Sequence, residues 1–351
     1  MEQQIHSERV AYYDNAKFWA ILLIVLGHFV YLPNDPKLNG PICNFLYVFH
    51  LPVFVVLAGM FSRNMLKKNR VGSYVLMNVV RVLIPFLIFH FAYSAVNHFY
   101  YYESKASFWQ MNFFIPAHIS WYLLSLFFWR LMLIVFSELK YALLLSLVVS
   151  LCFGYISNAE MFLSISRTIY FFPMFLLGYL YKDKIEMQVE KISIQKRLVA
   201  GTFLVVLLVL LLAAQNNVAW IWLTGMKSYV NTYGDFAYWG PIFRMTTYLV
   251  TILSVICFLL LIPRTVGTIT AIGKKSLYIY LLHGFVISIF TKELFMDERF
   301  QRAMQAHPKS QVALFVLVSI VITLLLGSRL VIFVTKPFIE PHNVIQFFKK
   351  G

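Results

Sequence analysis

Three histidines, His28, His50 and His283, stand inside long apolar stretches, where an imidazole has no water around it. A polar ring there costs free energy unless it meets a partner or lines a cavity. Out of water the uncharged ring is favoured, and the uncharged ring is the form that takes a proton from a reacting group. The plain alternative is that each histidine makes one interhelical hydrogen bond and nothing more. His28 carries an extra signal. Asp14, Lys17, Ile21, Ile24 and His28 recur every three or four residues and so share one helix face, joining charge at one end to an imidazole at the other. An interfacial ion pair that anchors the helix end would explain Asp14 and Lys17 equally well. Asp14 lies about 21 Å from His28 along a helix, too far to orient it, so an orienting group must come from another helix. No Gly-x-Ser-x-Gly elbow accompanies these rings. Cys43, Cys152 and Cys257 are scattered without paired spacing, which supports neither a disulfide framework nor a metal site.

The elements that hold these rings must be membrane helices. The chain is 60% apolar and 13% charged, which leaves a water-soluble globule nowhere to put its surface. Apolar runs of about 15 to 20 residues with little period-2 alternation favour helices over a barrel. The expected fold class is all-α, a polytopic transmembrane bundle of about ten helices. They are Ala16 to Leu32, Phe45 to Phe61, Tyr74 to Tyr93, Ile119 to Phe136, Tyr141 to Ile156, Thr168 to Tyr181, Leu198 to Ala214, Ile242 to Ile262, Ala271 to Phe290, and Val312 to Val334. The aromatic, Gly-rich stretch from Trp220 to Pro241 is expected in an outer loop. A net charge of +15 on a soluble domain would point to nucleic acid, but here the positive residues sit in short connections between apolar runs. Ten spans put both termini on one side. Assigning that side to the cytoplasm places most of the 30 lysines and arginines inside, in keeping with the positive-inside rule. His28 and His283 then lie 12 residues into helices that enter from the same face, roughly 18 Å deep. His50 lies a few residues into a helix entering from the opposite face. All three imidazoles are expected in the outer half of the membrane, where they can share a polar pocket.

Several ordered motifs carry a resemblance. Asp14-Asn15-Ala16-Lys17 followed by His28, within Tyr13 to Phe29, resembles the first helix of the membrane acyltransferase-3 family. Phe49-His50-Leu51-Pro52-Val53-Phe54 with Ala58-Gly59 is similar to the family's second helix, and Arg81 with Pro85-Phe86 to its third. Trp121-Tyr122-Leu123, then Phe172-Pro173 with Phe175 and Gly178-Tyr179, then Gly273-Lys274-Lys275-Ser276 running on to Tyr280 and His283, follow in the family's order. The resemblance covers about residues 9 to 290 and leans toward short members such as fucose acetyltransferases. Two departures stand out: Lys17 where many members have Arg, and Arg63, Lys67, Lys68 and Arg70 where an Arg-rich doublet is usual. Longer relatives append an extracytoplasmic hydrolase-like domain. Here about 17 residues follow Val334, so a single integral-membrane domain over residues 1–351 is expected, with none appended.

The resemblance implies an O-acyltransferase that moves an acetyl or other acyl group from cytosolic acyl-CoA, as co-substrate with no bound cofactor, to a hydroxyl of a cell-surface polysaccharide or lipid-linked sugar. It further implies a multi-pass protein of the bacterial inner membrane. His28 is the expected general base. His50, Tyr280 and His283 are candidates to orient it or to stabilise the tetrahedral oxyanion. Direct transfer and an acyl-histidine intermediate both stay open. For the donor, Lys17 and Arg81 are the first candidates, with Asp14, Lys67, Lys68, Arg70, Lys274, Lys275 and Ser276 at the cytoplasmic mouth, where cations attract phosphate. Plain topogenic charge explains the same lysines. Trp121, as a wall for sugar stacking, and Arg167 are acceptor-side candidates, as is the aromatic stretch from Val218 to Pro241. An interfacial aromatic belt explains those rings as well. A transporter or flippase for a lipid-linked glycan is the alternative, with the histidines and Arg167 lining a path. Against it, no paired broken segments mark two inverted halves.

Overall fold

The computed structural model describes residues 2–31, 39–68, 70–101, 114–214, 223–295 and 297–342. All regular structure among them is helical. The helices are α1 (Glu2–Tyr31), α2 (Asn39–Lys68), α3 (Val71–Asn78), α4 (Ile84–Ala95), α5 (Trp121–Phe136), α6 (Ala142–Phe153), α7 (Ile165–Glu190), α8 (Ile194–Ala214), α9 (Tyr229–Tyr233), α10 (Gly240–Leu261), α11 (Thr268–Gly273), α12 (Ser276–Phe290), α13 (Glu298–Ala306), α14 (Pro308–Leu326) and α15 (Arg329–Ile339). By length and composition, five helical stretches among the described residues can cross a membrane: Gly40–Leu66, Val71–Phe99, Phe162–Glu190, Ile194–Ala214 and Tyr229–Leu261. A sixth is added if Ser310–Leu326 and Arg329–Ile339 make one span, and Trp121–Phe136 and Ala142–Phe153 are shorter apolar helices. The protein is a multi-pass membrane protein.

Three sequence expectations are corrected. The stretch Ala271 to Phe290 is not one helix. Its chain tightens after Gly273, where the Lys275 N–H reaches the Ile272 carbonyl at 2.8 Å, and it restarts as α12. The stretch Val312 to Val334 is likewise broken at Gly327–Ser328, where glycine's poor helix propensity ends α14. Both breaks coincide with polar residues, Lys274–Lys275–Ser276 and Ser328–Arg329, which the expected spans run through. The outer loop expected from Trp220 to Pro241 is helical from Tyr229 onward. Ser228 caps α9, its Oγ accepting the Asn231 N–H at 3.3 Å. The ring of Tyr229 is wedged so tightly that a methyl group on either Gly154 or Gly240 would lie 2.2 Å from it. The start of that loop, Trp220 to Trp222, and Val218 and Ala219 before it lie outside the described residues.

Proline shapes the third span. Pro85 has no N–H to give the Arg81 carbonyl, and the residues Val79–Leu83 widen into a π turn in which the Ile84 N–H reaches the Val79 carbonyl.

The chain forms two compact units. The first comprises Met1–Leu57, Tyr181–Thr224 and Phe243–Ser328; the second comprises Ala58–Leu180, Gly225–Ile242 and Arg329–Gly351. Lipid tails are as apolar as the side chains, so helix association within each unit depends on close packing and interhelical hydrogen bonds, worth about 0.6 kcal/mol each on average. In the first unit α1 packs against α11, α12 and α14. The Tyr12 hydroxyl donates to the Leu259 carbonyl at 2.7 Å. The Asn15 amide donates to the Pro263 and Thr265 carbonyls at 2.9 Å each and accepts from Thr270 Oγ1 at 2.7 Å. All of its polar capacity toward α11 is thus used in holding the segment that leads into that helix. In the second unit Trp129 Nε1 donates to the Thr168 carbonyl at 2.7 Å, and the Ser125 and Thr168 hydroxyls pair at 2.7 Å. A methyl group on Gly59 would lie 1.9 Å from the Phe175 carbonyl oxygen, so only glycine allows α2 and α7 to approach this closely.

Candidate active site

The first unit gathers the imidazoles. On α1, Asp14, Ile21 and Ile24 are buried, and Lys17 and His28 are half-buried on the same face. One residue beyond His28, Phe29 packs edge-on against Phe290 of α12 at 5.4 Å and stacks on Phe315 of α14 at 6.1 Å. These contacts fix the end of α1 beside α12, and the rings of His28 and His283 lie 5.2 Å apart, centroid to centroid. His283 is fully buried, with the buried Tyr280 ring 5.7 Å from it. On the other side of His28 in sequence, Gly27 packs against His50 and Tyr47 of α2. A methyl group there would lie 3.9 Å from the His50 ring and 3.7 Å from the Tyr47 ring. Tyr47 itself stands edge-on to His50 at 4.7 Å. Adjacent residues of α1 therefore face two imidazoles on two different helices.

The backbone decides what these imidazoles can do. His283 Nδ1 lies 2.6 Å from the Tyr280 carbonyl oxygen and 3.2 Å from that of Ile279. A carbonyl only accepts, so Nδ1 carries the proton and Nε2 of the neutral ring keeps a lone pair. His50 Nδ1 is held by the Leu46 carbonyl in the same way. Both rings are thereby set as acceptors at Nε2. Tyr280, by contrast, carries an O–H that can donate.

At the opposite end of α1 the sequence-expected donor residues of this unit come together. Lys17 pairs with Asp14 at 2.6 Å. Gly273 lies directly against the Asp14 backbone, which places the turn Lys274–Lys275 and the buried Ser276 beside that end. Lys275 Nζ donates to the Gly327 carbonyl at 2.9 Å, tying the start of α12 to the end of α14. Lys274 is exposed.

The second unit holds the remaining candidates. Arg70 and Arg81 are exposed, and the side chains of Lys67 and Lys68 lie outside the described residues. Trp121 is buried, with Phe171 stacked on it at 5.9 Å and the Arg167 guanidinium 4.5 Å from the ring centre. Its indole is occupied by protein. Two features escape sequence reasoning. Arg130 stands ten residues into the apolar helix α5 and bonds Ser62 Oγ at 3.3 Å, while its carbonyl accepts from the Tyr74 hydroxyl at 3.0 Å. An arginine at that depth is itself a signal, which counting it as topogenic charge hides. Glu160 accepts from the Ser228 N–H at 2.6 Å, the Asn231 amide at 2.8 Å and Lys227 Nζ at 3.3 Å. These partners lie about 70 residues downstream, and no local pattern announces them.

The first unit thus brings two imidazoles, on α1 and α12, within 5.2 Å of each other, centroid to centroid. The family described as "Acyltransferase domain" matches residues 10–328, and the chain belongs to this membrane acyltransferase-3 family. It is a membrane acyltransferase. No curated protein and no solved structure matches the chain.

Proposed function

We propose that the protein transfers an acetyl or other acyl group from cytosolic acyl-CoA to a hydroxyl of a cell-surface glycan or lipid-linked sugar, with His28 as general base. The observation that carries this reading is the His28–His283 pair, 5.2 Å between ring centroids, on two neighbouring helices of one unit. Neutral His28 takes the proton of the acceptor hydroxyl as its oxygen attacks the thioester carbonyl. The tetrahedral intermediate then collapses, the C–S bond breaks, and the thiolate leaves with the proton that His28 returns. His283, whose Nε2 is an acceptor, takes the second N–H of His28 and steadies the imidazolium, the task that a carboxylate performs in other triads. His50 is an acceptor for the same reason, so Tyr280, a donor, is assigned to the oxyanion.

Membership of an acyltransferase family supports this chemistry over transport of a glycan. In the same proposal ten spans place both termini in the cytoplasm of a bacterial cell, with the Asp14 end of α1 at the inner face. Lys17, Lys274, Lys275 and Ser276, with Asp14 positioning Lys17, meet the donor there. In the second unit Arg70, Arg81, Lys67 and Lys68 are assigned to the donor's phosphates, and Arg167, held over Trp121, to the acceptor. The test is to incubate purified protein with labelled acetyl-CoA and deacylated surface glycan. Label should pass to the glycan, and His28→Ala should lower the rate by about 10²- to 10⁴-fold at unchanged membrane insertion. Native rates from purified His28→Ala would refute the assignment.

A further inference from the structure

Helix α14 carries polar residues on its buried face, beside Phe315 and Ile322, and apolar ones on its exposed face. Leu317, Val321, Leu324 and Leu325 are exposed, whereas Gln311, Ser319 and Thr323 are at most 1% exposed. Ser319 is satisfied within its own helix, its hydroxyl donating to the Phe315 carbonyl at 2.6 Å. Gln311 is not: although it is fully buried, neither the oxygen nor the nitrogen of its amide has a hydrogen-bond partner among the described residues. A buried primary amide with no partner forfeits its hydration and gains nothing for the fold. Such a group is retained when something else fills its hydrogen-bonding capacity.

The position of Gln311 says what that is. One turn along the same face, Phe315 stacks on Phe29, the residue after His28. The other end of α14 is tied by Lys275 to the start of α12, beside Gly273 and the Asp14 end of α1. Gln311 therefore belongs to the His28 end of the first unit, at the end of α14 opposite the one next to the donor lysines. We propose that Gln311 is an acceptor-binding residue, its amide oxygen and nitrogen bonding hydroxyls of the polyol acceptor so that one of them meets His28. This rests on the reading given under Proposed function. A sugar hydroxyl both donates and accepts, as does a primary amide, so the two complement each other where a carboxylate or an ammonium would meet only half of each hydroxyl.

The experiment compares wild type with Gln311→Leu and Gln311→Asn as purified full chains. The donor is labelled acetyl-CoA, and the acceptor is surface glycan from the producing cells, deacylated with mild alkali. The expected result has three parts. Gln311→Leu raises the acceptor KM about tenfold or more, leaves the acetyl-CoA KM within about twofold, and melts at or above the wild-type temperature, because it removes an unsatisfied buried group. Gln311→Asn, which keeps the amide on a shorter arm, falls between the two. If the acceptor KM of Gln311→Leu is unchanged, the inference fails. If the variant melts well below wild type or yields no folded protein, the amide is a packing partner and the inference fails equally. Should wild type itself pass no label to the glycan, the failure lies with the proposed reaction, and the inference falls with it.

Discussion

Gly273 approaches Asp14 so closely that a methyl group in place of its hydrogen would lie 1.8 Å from the Asp14 carbonyl oxygen. The obstacle is backbone and cannot rotate away. Gly273→Ala should therefore push α11 off α1 at a cost of about 1–3 kcal/mol, read as a lower melting temperature of the purified protein. Because the contact holds the Lys274–Lys275 turn in place, the acetyl-CoA KM should rise with it. A variant with wild-type stability and donor affinity would show that the turn is positioned by other contacts.

His28, His50 and His283 could be placed near one another from sequence because a helix advances by a fixed rise and successive spans run in opposite directions. Asn15, beside Asp14, illustrates the limit. Its three hydrogen bonds reach Pro263, Thr265 and Thr270, about 250 residues away, and nothing in local spacing announces them. The breaks at Gly273 and Gly327 were legible, since each glycine is followed by polar residues, Lys274–Lys275–Ser276 and Ser328–Arg329, and the expected spans run through them. Gln311 reads in sequence as an ordinary polar residue near a helix start, and only its complete burial separates it from one. Ser228, however, was a legible cap signal ahead of α9, and the outer-loop expectation passed over it.

Removing the orienting ring should act through His28 alone. In His283→Leu the transfer rate is expected to fall about 10²-fold or more, with the acetyl-CoA KM near that of wild type. In His283→Gln an amide oxygen can still accept the His28 N–H, so part of the rate should return. Steady-state kinetics on both variants checks this. Equal rates in the Leu and Gln variants would mean that the residue supplies packing and no hydrogen bond.

The Asp14–Lys17 pair separates anchoring from donor binding. Lys17→Met leaves a carboxylate whose side chain is 7% exposed without its cation, which should cost about 1–3 kcal/mol. Adding Asp14→Asn removes the stranded charge and should restore most of the stability. If Lys17 also meets the donor, the double variant regains its melting temperature while its acetyl-CoA KM stays high. Recovery of both together would assign the pair to anchoring alone.

The Glu160 network gives a pH dependence whose sign can be worked out. Burial alone would push this carboxyl up. The Ser228 N–H and hydroxyl, the Asn231 amide and the Lys227 charge outweigh that and hold it below the ordinary carboxylate value of 4.5. A carboxyl depressed by folding stabilises the protein above its unfolded value, and that stabilisation is lost as pH falls through the lowered value. At neutral pH wild type should therefore exceed Glu160→Gln by about 1–3 kcal/mol, mostly from the two short bonds to Ser228 and Asn231, since Lys227 is 41% exposed and screened by solvent. Below pH 4.5 the two should converge. Melting curves in detergent between pH 7 and about 3 measure the difference directly. The bonded residues begin α9, whose Tyr229 is locked between Gly154 and Gly240, so the same titration should loosen the whole segment. Proteolysis between residues 223 and 233 should then accelerate in wild type on acidification, and proceed at one faster rate throughout in Glu160→Gln.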